Sequence, residues 1–148
     1  MTAPLYESID FATLLAESYS RLRHRPLTPA GMDRGYIARW LYEEAPFGIL
    51  AHDTASDPVF IYGNKSAQQR FDYSWDELTG LPSRLSAEAP ERSEREEFLR
   101  RVSEDGFVDD YRGVRVTKSG KRFWIECVTV WQLIDAEGIC HGQAAMIP

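Results

Sequence analysis

The chain has 148 residues, enough for one domain that buries roughly two-thirds of its unfolded surface. A hydrophobic fraction of 43% and an aromatic fraction of 12% exclude a disordered polar chain and favour a packed core. The net charge of -6 argues against general affinity for nucleic acid or an anionic membrane surface.

Residues 8–25 read as an amphipathic helix, because Phe11, Leu14, Leu15, Ser18 and Leu22 recur at helical spacing. Arginines fill its last turn, where cations oppose the helix dipole, and Pro26 stops it. Thr28-Pro29 reads as an N-cap followed by proline at the first helical position. The helix it opens carries Tyr36, Ile37, Trp40 and Leu41 on one stripe and ends before Pro46. Neither helix has a core of its own, so one of them is expected to cover a sheet face, in its own protomer or in a partner's.

Phe47 to His52 and Pro58 to Tyr62 read as two strands joined by a turn at Asp53–Asp57. Asn64 precedes a short helix, KSAQQRF, with Ala67 and Phe71 inward. Ser74-Trp75-Asp76-Glu77 has the form of a capping box, in which the serine hydroxyl and glutamate carboxylate satisfy backbone donors at a helix start. A charged helix over 90–105 turns Phe98, Leu99 and Val102 inward and closes at Gly106.

Three antiparallel strands follow, at about 111–117, 122–134 and 139–147. A two-residue turn at Ser119-Gly120 would set Val116 opposite Phe123 and Val114 opposite Ile125. Phe123, Ile125, Cys127, Thr129, Trp131 and Leu133 would then share the core face. The other face would hold Arg115 opposite Trp124, with Glu126 diagonal to it and Val128 beyond, and this half-apolar face needs a cover. In that register Arg115 and Glu126 pair over Trp124.

No catalytic or metal constellation stands out. His24, His52 and His141 are scattered, and neither HExxH nor CxxC spacing occurs. There is no G-x-S-x-G nucleophile setting. Glu104, Asp105, Asp109 and Asp110 read as a solvated run. Cys127 and Cys140 lie too far apart along neighbouring strands for a disulfide and read as buried small hydrophobes. Nothing at the N-terminus resembles a signal peptide and no apolar run approaches membrane-span length, so the cytoplasm is the expected location.

The element order is two helices, two strands, several short helices and three strands. This order, with DPVFIYGNKSAQQRFDYSWDELTGLPS, resembles the PAS fold: α+β, a five-stranded antiparallel sheet with short helices on one face. FGILAHDTASDPVFIYGNKSAQQRF, SWDELTGLPSRLSAE, DDYRGVRVTKSGKRFWIE and VWQLIDAEGICHGQAA resemble the MEKHLA domain, a PAS-like family. The division this suggests is a helical extension over 1–45 and a PAS-like unit over 46–148.

The resemblance implies a cavity between the concave sheet face and the short helices. Tyr62, Phe71, Leu78, Leu85, Phe98, Phe123, Ile125 and Trp131 would line it, or simply fill the core. Asn64, which also suits a helix cap, and Gln143 would offer polar contacts. Trp40, Arg115, Trp124, Glu126 and Val128 would form an interface, in keeping with a homodimer or a protein partner. The cofactor is left open. GNKSAQQRFDY lacks the cysteine that flavin photochemistry requires, and 90–105 lacks a histidine for haem. A non-catalytic sensory or dimerisation module is the expected function; the alternatives are an interaction domain without ligand, and a small enzyme with an acid–base pair in the cavity.

Overall fold

A computed structural model describes residues 3–87 and 92–148. After a 3-10 turn, Leu5–Glu7, helix α1 spans Ile9–Arg23, with the Ser8 hydroxyl accepting from the Phe11 N–H as its N-cap. His24 ends α1 in the left-handed conformation. Helix α2, Arg34–Arg39, runs on as a π-helical stretch, Trp40–Glu44. It begins later than Thr28-Pro29 predicts: residues 26–33 are irregular, with a turn at 30–31, and Asp33 stands at the N-cap.

Strands β1, Gly48–His52, and β2, Phe60–Gly63, pair antiparallel. Helices α3, Lys65–Phe71, and α4, Trp75–Leu78, follow, the second opened by the full Ser74–Glu77 capping box. A 3-10 turn, Ser83–Ser86, precedes α5, Arg92–Asp105. The expected start of α5 at Pro90 lies outside the described residues. Strands β3, Phe107–Val116, β4, Arg122–Ile134, and β5, Cys140–Ile147, complete a sheet of order β2-β1-β5-β4-β3. Strand β3 starts four residues earlier than its sequence suggests.

The sheet buries both faces. On the inner face, Leu50, Phe60, Ile125, Val128, Val130 and Ile147 pack with Ala67, Phe71, Leu78, Phe98 and Val102 of the short helices and α5. On the outer face, α1 lays Phe11, Leu15 and Tyr19 over Ile49, Ala51, Trp131, Leu133 and Ala144. The cover expected from an N-terminal helix is thus supplied by the chain's own α1. Its arginines fasten it to the sheet. Arg21 donates to the Ile134 carbonyl, and Arg23 meets Asp109 at 3.0 Å and lies over the Phe107 ring.

The register differs from the sequence expectation in two places. The β3–β4 turn has three residues, Lys118 to Gly120, closed by Thr117 N–H donating to the Lys121 carbonyl, with Gly120 at φ 88. This is the loop length that places a glycine in the left-handed region at its end. Val116 therefore faces Arg122, Val114 faces Trp124, and Arg115 faces Phe123. The one-residue slip moves Val114 and Val116 outward and Arg115 inward.

The second difference is a bulge in β4. Cys127, at φ 55, is the extra residue between the pairs Gly113–Ile125 and Tyr111–Val128. Beyond it the alternation inverts. Val128 and Val130 turn to the inner face, and Thr129, Trp131 and Leu133 no longer share a face with Phe123 and Ile125. Both cysteines are free and exposed rather than buried.

Candidate functional site

The inner face and the helices that cross it line a partly open cavity of about 70 Å³. Leu50, Phe60, Phe71, Phe98, Ile125, Val128 and Val130 give it apolar walls. Ser83, Ser86, Tyr111, Arg115, Gln143 and His52 bring polar atoms to it.

Strand β3 delivers the most polar part. Tyr111, Gly113 and Arg115 alternate onto the inner face, and the Tyr111 ring stacks on Phe98 with centroids 4.0 Å apart. Arg115 is only 8% exposed. Its guanidinium donates to the Tyr111 hydroxyl at 2.6 Å and to the Val114 carbonyl at 3.0 Å. Gly113 makes that meeting possible, since a Cβ there would sit 2.6 Å from the Tyr111 hydroxyl oxygen and 3.2 Å from Arg115 Nη1. On β5, the Oε1 of Gln143 is buried and accepts no hydrogen bond among the described residues.

Of the residues expected at the cavity, Phe71, Phe98, Ile125 and Gln143 line it. Phe123 stands beside it, its ring edge-on to Phe71 at 5.0 Å. Leu78 is buried in the same core but points at Gly63, where a Cβ would meet its Cδ2 at 2.2 Å. Leu85 is 39% exposed.

Three of those residues are placed elsewhere. Trp131 lies on the outer face because of the Cys127 bulge, edge-on to Tyr19, with its indole N–H donating to the Ser18 hydroxyl at 2.9 Å. Tyr62 is turned to the outer cluster by an irregularity between β1 and β2, and burial pushes its phenol pKa upward. Asn64 is fully buried and committed to the backbone. Its Oδ1 accepts from the N–H groups of Ile49 and Ala67, and its Nδ2 donates to the carbonyls of Leu41 and Phe47.

The residues expected at an interface divide as well. Arg115 and Val128 belong to the inner face, for the register reasons above. Trp40 is half-buried, with its ring 5.9 Å from that of Phe47. Trp124 is 58% exposed and Glu126 is exposed, on the outer face of the β3–β4 hairpin. The partner of Glu126 is Arg112, at 3.1 Å, and the Arg112 guanidinium lies 4.2 Å from the Trp124 ring centroid. Arg112 therefore occupies the place that the sequence register gives to Arg115. The signal for the exchange was the glycine at 120, which suits a three-residue turn as well as a two-residue one.

Chemically, the cavity offers a cation, a phenol, an amide and two serine hydroxyls inside an apolar wall. Among the described residues no group of three His, Cys, Asp or Glu side chains could hold a metal ion. His52 places Nδ1 2.9 Å from the Asp53 carbonyl, and His141 meets Asp135 at 2.8 Å on the surface. The volume is below the roughly 300–1,000 Å³ of drug-sized ligand pockets, and neither cysteine is among the residues that line the cavity. No helix among the described residues is long and apolar enough to cross a membrane.

No curated protein matches this chain. Among solved structures, it is similar to the PAS domain of a protein from Colwellia psychrerythraea, with 16% identity and a TM-score of 0.60 over 69% of this chain and 84% of that one. A fungal light-oxygen-voltage photoreceptor domain matches with 20% identity and a TM-score of 0.61 over 90% of each chain. A light-oxygen-voltage domain studied with a flavin analogue gives 20% identity and a TM-score of 0.59 over 80% of this chain and 87% of that one. At these identities the likeness concerns the fold, which is PAS-like. The family model of the MEKHLA domain matches residues 9–148, from the first residue of α1 through β5, and the chain belongs to that family.

Proposed function

We propose that this chain is a non-catalytic sensory module that holds a small molecule between its sheet and short helices and passes the bound state on in signalling or transcriptional regulation. The observation that carries this reading is the cavity itself, apolar in its walls and furnished with a few converging polar groups. Phe71, Phe98, Ile125, Arg115 and Gln143 would contact the ligand. We read residues 1–45 as a helical extension serving the PAS-like unit at 46–148, and the protein as cytoplasmic. Native mass spectrometry of freshly purified protein tests the reading. A mass surplus that disappears on denaturation is expected; a clean polypeptide mass, with no stabilisation by any small molecule, would refute it.

A second reading rests on a separate observation. Trp124, large, apolar and more than half exposed, sits on the part of the outer face that α1 leaves uncovered. Aromatic residues and arginine are enriched at interface centres, within a polar rim. On this reading two copies meet through the β3–β4 hairpins, and Trp124→Glu shifts the light-scattering mass from dimer to monomer. An unchanged mass would remove the hairpin as an interface.

A further inference from the structure

Arg115 is a cation placed where water scarcely reaches, and no carboxylate among the described residues lies within ion-pairing distance of it. Its two hydrogen-bond acceptors are both neutral, the Tyr111 hydroxyl and the carbonyl of its own neighbour Val114. A guanidinium has more donors than these satisfy. The contrast with Arg112 is direct: three residues away on the same strand, it is solvent-exposed and has Glu126 at 3.1 Å. Taking a charge out of water is costly unless a counter-charge replaces the lost hydration. The protein nevertheless shapes itself to keep Arg115 there, with Gly113 making room and Tyr111 fixing the guanidinium plane.

A second group on the same cavity is also incomplete. Gln143 Oε1 is buried with no donor facing it among the described residues. Buried polar atoms are almost always satisfied in native proteins, by protein, water or ligand. Arg115 stands opposite Phe123 and Gln143 opposite Gln132, so the two groups mark different ends of a cavity that Phe71, Phe98, Ile125 and Val130 also line.

We infer that the cavity is built for a small organic monocarboxylate, whose carboxylate pairs with Arg115 and whose apolar body lies against Phe71, Phe98 and Ile125. The inference deepens the ligand-binding reading above and rests on it. Planar fork donors match a carboxylate two-to-two, which selects this head group over a neutral amide of the same shape. The volume of about 70 Å³ restricts the ligand to a handful of heavy atoms. No bond is made or broken; the anion replaces the missing counter-charge.

The test uses the full chain in a buffer free of carboxylates, at constant ionic strength. Formate, acetate, butyrate, benzoate and 2-hydroxybutyrate are compared with butyramide and benzamide by thermal shift and by mapping backbone NMR shifts. Carboxylates are expected to raise the melting temperature saturably and to move amide signals of β3 and β5. The matched amides are expected to bind about tenfold more weakly or worse, the worth of one charge-assisted hydrogen bond. R115Q, whose shape is retained and whose buried charge is gone, should fold and lose the preference. If amides and acids bind wild type alike, the cavity is a ligand site but not for anions, and this inference falls alone. Should no carboxylate give an Arg115-dependent shift, the inference is overturned. If native mass spectrometry also finds no adduct, the ligand-binding reading falls with it.

Discussion

Asn64 shows how a single side chain can hold several elements together. It caps α3 through the Ala67 N–H, accepts the Ile49 N–H of β1, and donates to the carbonyls of Leu41 and Phe47. Replacing it by alanine strands four buried or half-buried backbone groups at once. Each unsatisfied buried group costs about 1–3 kcal/mol, so Asn64→Ala should lose roughly 3 kcal/mol or more in urea unfolding. A loss below about 1 kcal/mol would mean that water replaces the amide without difficulty. The helix-capping half of this role could be read from the sequence, because Asn before a short amphipathic run is a standard start signal. The bonds to Leu41 and Phe47 could not, since they depend on how the π-helical end of the second helix is brought over the strand.

At the scale of elements, two clasps determine how the layers meet. The first is α1 on the sheet. Trp131 is fully buried beneath it, and Trp131→Ala should cost roughly 3–5 kcal/mol as a large-to-small core change. A melting temperature close to wild type would show that the helix is not seated on the strand. The second clasp joins α4 to the β3–β4 turn, where the Lys118 ammonium donates to Glu77 and the Lys118 N–H reaches the Phe71 carbonyl. The bond from Lys118, followed by the Ser74 N–H, pulls the Glu77 carboxyl down to about 2 from an ordinary 4.5. A carboxylate with a depressed folded-state pKa stabilises the fold above its ordinary pKa, and that stability is lost as pH falls through the lower value. Urea midpoints measured from pH 4.5 down to about 2 should therefore fall more steeply for wild type than for Glu77→Gln. The pair is exposed, so added salt should shrink the difference. Equal slopes in the two proteins would exclude the clasp.

For the molecule as a whole, sheet and helix order were legible because each element carries its own period and its own punctuation. The strands fall close to where alternation and turn residues put them, apart from the early start of β3, and the expected cover is α1, although it seats on Trp131 and Leu133 rather than on Val128 and Val130. The cavity's composition was legible only in part. Phe71, Phe98, Ile125 and Gln143 were recognisable by position, whereas Arg115, Val128 and Trp131 were assigned to the wrong sides. The cause is confined to two places, a three-residue turn in place of a two-residue one and the left-handed backbone at Cys127. Both are single-residue insertions in a period of two, so each inverts everything beyond it. Nothing about cysteine marks it as a bulge residue. The outer face also gives a prediction for the whole chain. Deleting residues 1–25 uncovers Ile49, Trp131 and Leu133 together, and the remainder should unfold less cooperatively and scatter as aggregates. A monodisperse, cooperatively folded 26–148 fragment would instead make the helix a dispensable appendage.

The Cys127 bulge leaves Val130 and Trp131 adjacent on β4, one lining the cavity and the other gripped by Ser18 and Tyr19. Cavity and cover are thus separated by the thickness of one backbone. A guest that pushes Val130 shifts the seat of the indole beneath α1, so Trp131 is a natural optical gauge. In a protein with Trp40, Trp75 and Trp124 replaced by phenylalanine, its emission would be blue and sheltered from quenchers with the cover closed, and red and quenchable with the cover lifted. Light emitted from one face of the sheet would then report what occupies the other.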